Sequence, residues 1–249
     1  LISAIPGELV PGVGASEIVG FVKKSLGISA DWTRFNDVSF KGLSFGAKNV
    51  YVFVGIGNPI YAAVPNQPGK LTVTNADSIF GFGMEGVDLG FSVFKADLGI
   101  FNDFFKPTDF TSLYAHADTL KVYGFGDTLK IEAHDITVEL NQGGKMWGGL
   151  LTSTADFGAS FPAVVDTATP MNNRPRGYEI KTGGTPVYLD FNGNQLMGLD
   201  IGLAEIQLSQ FLYLRGSLAF RKGDTFNVAV DLGGLKTLAD DIGAFIPGY

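Results

Sequence analysis

One short phrase in the chain has the spacing of a nucleophilic serine. Gly42-Leu43-Ser44-Phe45-Gly46 matches the G-x-S-x-G pattern, in which a turn between a strand and a helix exposes the serine to a histidine base. The residues that follow, AKNVYVFVG, favour a β-strand instead of the required helix. We therefore interpret Ser44 as an ordinary strand residue and predict no catalytic triad.

A second phrase carries oxygen ligands at alternate positions. Asp190, Asn192 and Asn194 resemble the start of a calcium loop, since this cation takes carboxylate and carbonyl oxygens. However, Gly193 comes one position early and Ile201 stands where the closing glutamate belongs. A hairpin turn at Asn192-Gly193, which needs positive φ, explains the same residues. Calcium bound by Asp190, Asn192 and Asn194 is the metal-site hypothesis.

The other candidates for chemistry are isolated from one another. Only His116 and His134 are histidines, whereas a zinc site uses three or four protein ligands. A carboxylate pair for glycoside hydrolysis would come from remote strands, and spacing marks out no pair among the 25 acidic residues. We predict that the protein is not an enzyme and that it binds no cofactor other than the hypothetical calcium ion.

A cluster of phenylalanines is the candidate for apolar binding. The segment IFNDFFKPTDF holds Phe101, Phe104, Phe105 and Phe110. In one interpretation these four rings form an exposed patch that contacts a partner or an apolar ligand. In the other they fill the open end of a β core.

The elements that must position these residues are β-strands. Apolar residues recur at alternate positions, most clearly over residues 185–232, as expected of strands with one buried and one solvated face. The apolar set slips by one position after His134 and again between Leu203 and Ile206, where a bulge would restore the register. The sequence therefore predicts an all-β fold: a large, mainly antiparallel curved sheet or a β-sandwich with long bulged strands.

Two helical patterns flank the strands. Ser16 is a candidate N-cap and Gly27 a stop signal for the first, and apolar residues recur at helical intervals near the C-terminus. We predict a single β-rich domain over residues 1–249, with a helix at about 16–26, a β core at about 38–232 and a helix at about 233–245.

Composition opposes several classes of protein. A net charge of −7 and a pI near 4.8 argue against nucleic-acid binding, which needs many gathered lysines and arginines. The sequence contains no apolar run near the roughly 20 residues of a membrane-spanning helix, so we predict no transmembrane segment. Cysteine is absent, which excludes disulfides and thiolate metal sites.

Two phrases resemble a known group of proteins. LDFNGNQLMGLDIGLAEIQLSQFLYLRGSLAFRKGD, together with the earlier VSFKGLSFGAKNVYVFVG, is similar in style to the β-rich modules repeated in giant secreted or surface proteins of bacteria, adhesin-like proteins among them. The resemblance implies an extracellular or cell-surface location and tandem copies, and it supplies no site residue. Since the chain starts at Leu1, we expect it to be a unit of a longer protein.

Two functions follow as expectations. The first is a structural interaction module of an extracellular bacterial assembly, such as a giant adhesin-like protein, a fibre or a surface layer. It would join neighbouring copies of itself or tandem modules through sheet edges and surfaces. The alternative is a carrier of apolar ligands or lipid in a groove of a curved sheet.

Overall fold

Long antiparallel strands dominate the fold. The computed structural model describes residues 38–99, 102–146, 151–167, 169 and 172–223, together with residues 20 and 24. The strands are β1 (Ser39–Ile56), β2 (Tyr61–Ala63), β3 (Leu71–Val73), β4 (Phe80–Asp97), β5 (Asp109–Tyr123), β6 (Leu129–Gln142), β7 (Gly144–Met146), β8 (Leu151–Ser153), β9 (Tyr178–Ile180), β10 (Val187–Leu189), β11 (Leu196–Leu208) and β12 (Leu212–Gly223). Two single-turn helices, α1 (Asn102–Phe105) and α2 (Phe157–Ser160), lie between strands. The predicted all-β fold is confirmed.

Six of the strands form one antiparallel sheet in the order β1-β4-β5-β6-β11-β12. The hairpins β2–β3, β7–β8 and β9–β10 form separate two-stranded sheets. Within the described part of the chain, β1 and β12 are the two edges of the large sheet, and each pairs with one strand only. The predicted large antiparallel sheet is therefore present.

The two faces of the large sheet differ in chemistry. Residues directly opposite each other on paired strands share a face, so the register connects one row of side chains across all six strands: Ala47, Leu89, Ala115, Val138, Leu199 and Phe220. We call the face that carries this row the apolar face. The other face, which carries Tyr114 and Glu139, is called the covered face.

The main described core lies on the covered face. Phe157 of α2, Ile180 of β9 and Leu189 of β10 are buried together with Phe191. Phe94, Tyr114 and Leu196 of the large sheet pack against this cluster. Near it, Asn141 donates hydrogen bonds to the carbonyl oxygens of Ala155 (3.2 Å) and Asn194 (3.1 Å). The segment from α2 to β10 therefore covers one part of this face of the sheet.

The alternation of side chains reverses within β6. Ala133 and Ile136 lie in the same apolar cluster although they are three residues apart. Asp135, between them, has a φ of 56°, a left-handed conformation that changes the direction of the following side chains. The slip predicted after His134 is confirmed.

The same reversal crosses the neighbouring strands at the same level. It places two residues three apart on the apolar face in each case: Met84 and Val87 in β4, Ala117 and Leu120 in β5, and Ile201 and Ala204 in β11. Because adjacent strands reverse together, the pairing between β4, β5, β6 and β11 keeps one register, and shifts occur only at β1 and β12. We call this level the reversal line.

The second predicted slip is displaced in the structure. The reversal in β11 falls between Ile201 and Ala204, whereas the sequence placed it between Leu203 and Ile206. Leu203 pairs with His134 and thus lies on the covered face, so its apolar character misled the prediction.

Parts of the predicted domain lie outside the described residues. Gly20 and Lys24 are helical, and the rest of the predicted helix at about 16–26 is outside. The last part of the predicted β core, at about 224–232, also lies outside the described residues. The same is true of the predicted helix at about 233–245. These assignments stay predictions.

Where β4 crosses the reversal line, glycine is required at position 86, and this requirement gives a stability test. Gly86 has a φ of 64°, and a Cβ there would lie 2.7 Å from the Asp118 carboxyl group. Gly126 has a similar φ of 51° but open space around it. We expect Gly126→Ala to lower the free energy of unfolding by about 1 kcal/mol from backbone strain. Gly86→Ala adds a steric clash and should cost about 3 kcal/mol. Urea unfolding of both variants measures the difference, and equal costs would contradict the role of the Asp118 contact.

Candidate functional site

The apolar face is the largest candidate site in the described part of the chain. A second row of side chains lies on this face, on the other side of the reversal line from the first row. It also joins all six strands: Val52, Met84, Leu120, Ala133, Ala204 and Gly216. Six strands of this length present a face about 24 Å wide and about 40 Å long, or about 1,000 Å² in projection. Apolar residues occupy nearly every position whose side chain lies on this face, because apolar and polar residues alternate along each strand on either side of the reversal line.

Exposure on the apolar face increases from its centre to its edges. Ala117 and Ala133, at the centre, are 2% and 8% exposed. Val54 on β1 and Leu218 on β12 are 68% and 55% exposed, and Phe82 on β4 is 58% exposed. Single exposed leucines are ordinary, but a contiguous apolar surface beyond a few hundred Å² marks a place where a protein binds something.

One end of the apolar face is charged. Lys41 forms an ion pair with Asp97, and Asp97 also accepts hydrogen bonds from Asn102 Nδ2 (2.8 Å) and from the Gly99 backbone N–H (3.1 Å). The Lys41 hydrogen bond, followed by the Asn102 hydrogen bond, lowers the pKa of Asp97 to about 2. Lys41, Asp97 and Asn102 line an open cleft that also includes Lys95 and Lys106. This end therefore forms a charged boundary to the apolar face.

The charged residues on the covered face are engaged with each other. Glu132 lies within 3.4 Å of Lys121 Nζ, 3.1 Å of Lys130 Nζ and 3.2 Å of His134 Nε2. Burial opposes ionisation of Glu132, but the two lysines outweigh it and lower the pKa of Glu132. Hydrogen bonds to Glu132 and Glu205 raise the pKa of Lys130. This arrangement is a structural ion-pair network across three strands.

The two histidines also lie on the covered face. His116 Nδ1 is 3.3 Å from Thr137 Oγ1, and His116 Nε2 is 3.6 Å from the Asp118 carboxylate. His134 Nδ1 is 3.3 Å from Thr119 Oγ1. Within the described ranges, no group of three or more histidine or acidic side chains is arranged to hold a metal ion.

The predicted calcium ligands form a turn. Asp190 is paired with Arg176, whose Nε lies 2.8 Å from Asp190 Oδ1. The Asn192 side chain accepts the backbone N–H of Asn194 at 3.4 Å, and Gly193 has a φ of 80°, which is the backbone conformation predicted for the turn. Calcium at Asp190, Asn192 and Asn194 stays a prediction.

The predicted phenylalanine contacts divide into two groups. Phe110 is 3% exposed and packs edge to face on Phe40, with ring centroids 5.1 Å apart. Its position matches the interpretation in which these rings fill the end of the core. Phe101 and the side chains of Phe104 and Phe105 lie outside the described residues, so their role as ligand contacts stays a prediction.

Ser44 lies within β1, and the chain continues as a strand to Ile56, as the sequence analysis predicted. The apolar face itself was not identified as a site from sequence. The signal was present in the alternation of each strand, but the alternation does not reveal which strands adjoin or which face the intervening segments cover.

Comparison with known proteins gives no match among protein-family models, curated proteins or solved structures. No helix in the described part of the chain is long and apolar enough to cross a membrane. Fold and site therefore define an all-β protein with one large antiparallel sheet and one exposed apolar face.

The ion pair at Asp97 predicts a pH dependence. A carboxyl group with a lowered pKa contributes stability above its unfolded pKa of about 3.9, and this contribution disappears as the pH falls towards the folded value of about 2. We expect wild type to be more stable than Asp97→Asn at pH 5 and the difference to vanish near pH 2. Urea unfolding at several pH values measures it. Asp103→Asn, in the same cleft, controls for loss of a negative charge, and an identical profile in both variants would contradict the specific role of Asp97.

Proposed function

We propose that the chain is a structural interaction module of an extracellular or cell-surface bacterial assembly. It binds neighbouring copies of itself or tandem modules by burying its apolar face. The exposed side chains along both edges of that face, on β1 and β12, are the single observation that carries the proposal.

The exposed side chains of the apolar face are suited to stable association. A standard protein interface buries about 800 Å² of accessible surface on each partner, and on the apolar face the accessible side chains include Val54, Phe82 and Leu218, which are 68%, 58% and 55% exposed. Burying one exposed leucine or phenylalanine contributes about 2 kcal/mol. Several such side chains therefore offset the cost of about 4–15 kcal/mol that association imposes.

The charged groups that the structure describes on the other face are engaged with each other. Glu132 pairs with Lys121 and Lys130, and Arg221 pairs with Glu139 and Asp200, an arrangement typical of a structural ion-pair network. The proposed surface location rests on the resemblance to bacterial repeat modules.

A carrier of apolar ligands is the second candidate. The observation in its favour is the small side chains along the centre of the apolar face, Ala115, Ala117 and Ala133, with the larger Phe82 and Phe220 nearer the edges. The exposed Phe82 and Phe220 rings give an alkyl chain an apolar surface to lie against. Native mass spectrometry of gently purified protein separates the two candidates, because a carrier retains a bound apolar mass.

Phe82→Lys tests the proposed function. This change places a charge within the apolar face, so we expect the dissociation constant for self-association to rise at least about tenfold, as removal of about 2 kcal/mol implies. Sedimentation equilibrium of wild type and variant between micromolar and millimolar concentration measures it.

Val165→Lys is the matched control for this experiment. Val165 is exposed, at 76%, and lies in the segment between α2 and β9, outside the large sheet. Its substitution should leave association unchanged. A wild-type protein that stays monomeric throughout the concentration range, or equal effects of both variants, would contradict the proposal.

A further inference from the structure

The edge strand β1 contains a phrase that is symmetric about Ser44. Reading outward from Ser44, the chain meets a large apolar residue on each side, Leu43 and Phe45, and then a glycine on each side, Gly42 and Gly46. In β1 these five residues are consecutive strand residues. A strand with such symmetry is complementary to an antiparallel copy of itself, because reversing its direction restores the same pattern.

The phrase lies where such a pair could form. In the described part of the chain, β1 pairs with β4 on one side and has no strand on its outer side, so alternate backbone N–H and C=O groups point outward from this edge. Leu43 pairs with Val93 and Phe45 with Phe91, which places both on the apolar face. They are 62% and 57% exposed.

We propose that two copies of this chain pair through β1, antiparallel, about a two-fold axis at Ser44. Leu43 then lies opposite the partner's Phe45, Gly42 opposite the partner's Gly46, and the two Ser44 residues opposite each other. The pair joins the six described strands of one sheet to the six of the other and makes the apolar face continuous across both copies. This inference rests on the proposed function, since it names the partner and register at one edge of the same sheet.

The glycines give the partner strand the room that it needs. On the covered face the β9–β10 hairpin approaches β1 at Gly46, where a Cβ would lie 2.5 Å from the Lys181 carbonyl oxygen and 2.7 Å from Ile180 Cγ2. In the proposed register the residue beside Gly46 is the partner's Gly42, which also has no side chain. At this pair of glycines, therefore, no side chain of the partner strand lies against the hairpin.

The symmetry of the phrase identifies the partner as a second copy. A two-fold interface uses the same residues on both subunits and must be self-complementary, and large residues opposite large residues with glycine opposite glycine meet that condition. A strand of different sequence would gain nothing from the symmetry. The alternative in which β1 pairs with β12 of the next copy predicts different residue pairs and is an outcome of the test.

Cysteine cross-linking tests the register directly, because the chain contains no cysteine. Directly opposite residues in an antiparallel pair have Cα separations of about 4.5–5.5 Å, within the range that a disulfide spans. Under mild oxidation Ser44→Cys should form a covalent dimer. Leu43→Cys and Phe45→Cys should each stay monomeric alone and cross-link when mixed.

Ala219→Cys on the opposite edge strand β12 is the matched control. It should form no dimer, either alone or mixed with Ser44→Cys. Absence of a Ser44→Cys dimer, or more efficient cross-linking between Ser44→Cys and Ala219→Cys, would overturn the inference.

A charge substitution separates this inference from the proposed function. Ser44→Arg places two positive charges opposite each other in the β1 pair, which is destabilising, and leaves the apolar face unchanged. We expect at least a tenfold weaker β1 dimer, rescue in an equimolar mixture with Ser44→Glu, and no effect from Ala219→Arg. An effect of Phe82→Lys without an effect of Ser44→Arg would overturn the β1 pair and leave the proposed function standing. An effect of Ser44→Arg without an effect of Phe82→Lys would support the β1 pair and contradict the proposed burial of the apolar face.

Discussion

The reversal line is the constraint on which the organisation of the sheet depends. A strand of 13 to 18 residues that kept strict alternation would have to place its apolar residues at positions of one parity throughout. These strands change parity in the middle. Each strand nevertheless keeps its apolar residues on one face. It does so because the side-chain direction reverses at the same level in adjacent strands, at Asp135 in β6 and at Gly86 in β4. If one strand reversed alone, the backbone hydrogen bonds on both sides would lose register.

The concerted reversal explains why the two faces differ so much in chemistry. On the covered face, the segment from α2 to β10 buries Ile180 and Leu189 against the sheet, and an ion-pair network around Glu132 occupies another part. Apolar side chains from all six strands are thereby concentrated on the opposite face. The same arrangement that completes the core on one side leaves an exposed apolar surface on the other.

Sequence predicted the local features well and the assembly of strands less well. Alternation gave the fold class, the slip after His134 gave the reversal in β6, and the strand character after Gly46 excluded a nucleophile elbow at Ser44. Leu203 misplaced the reversal in β11, because an apolar residue on the covered face has the same appearance in sequence as one on the apolar face. The order of the strands and the cover provided by β9–β10 depend on long-range pairing, which the period of a single strand does not encode.

The most direct test of the account is the accessibility of the apolar face in the associated protein. Hydroxyl-radical labelling at low and high protein concentration compares Phe82, on the apolar face, with Tyr213, which is also exposed but pairs with Gln207 on the covered face. The account predicts that labelling of Phe82 falls several-fold as concentration rises and that labelling of Tyr213 stays constant. Equal labelling of Phe82 at both concentrations would contradict the claim that the apolar face is the surface through which the protein acts.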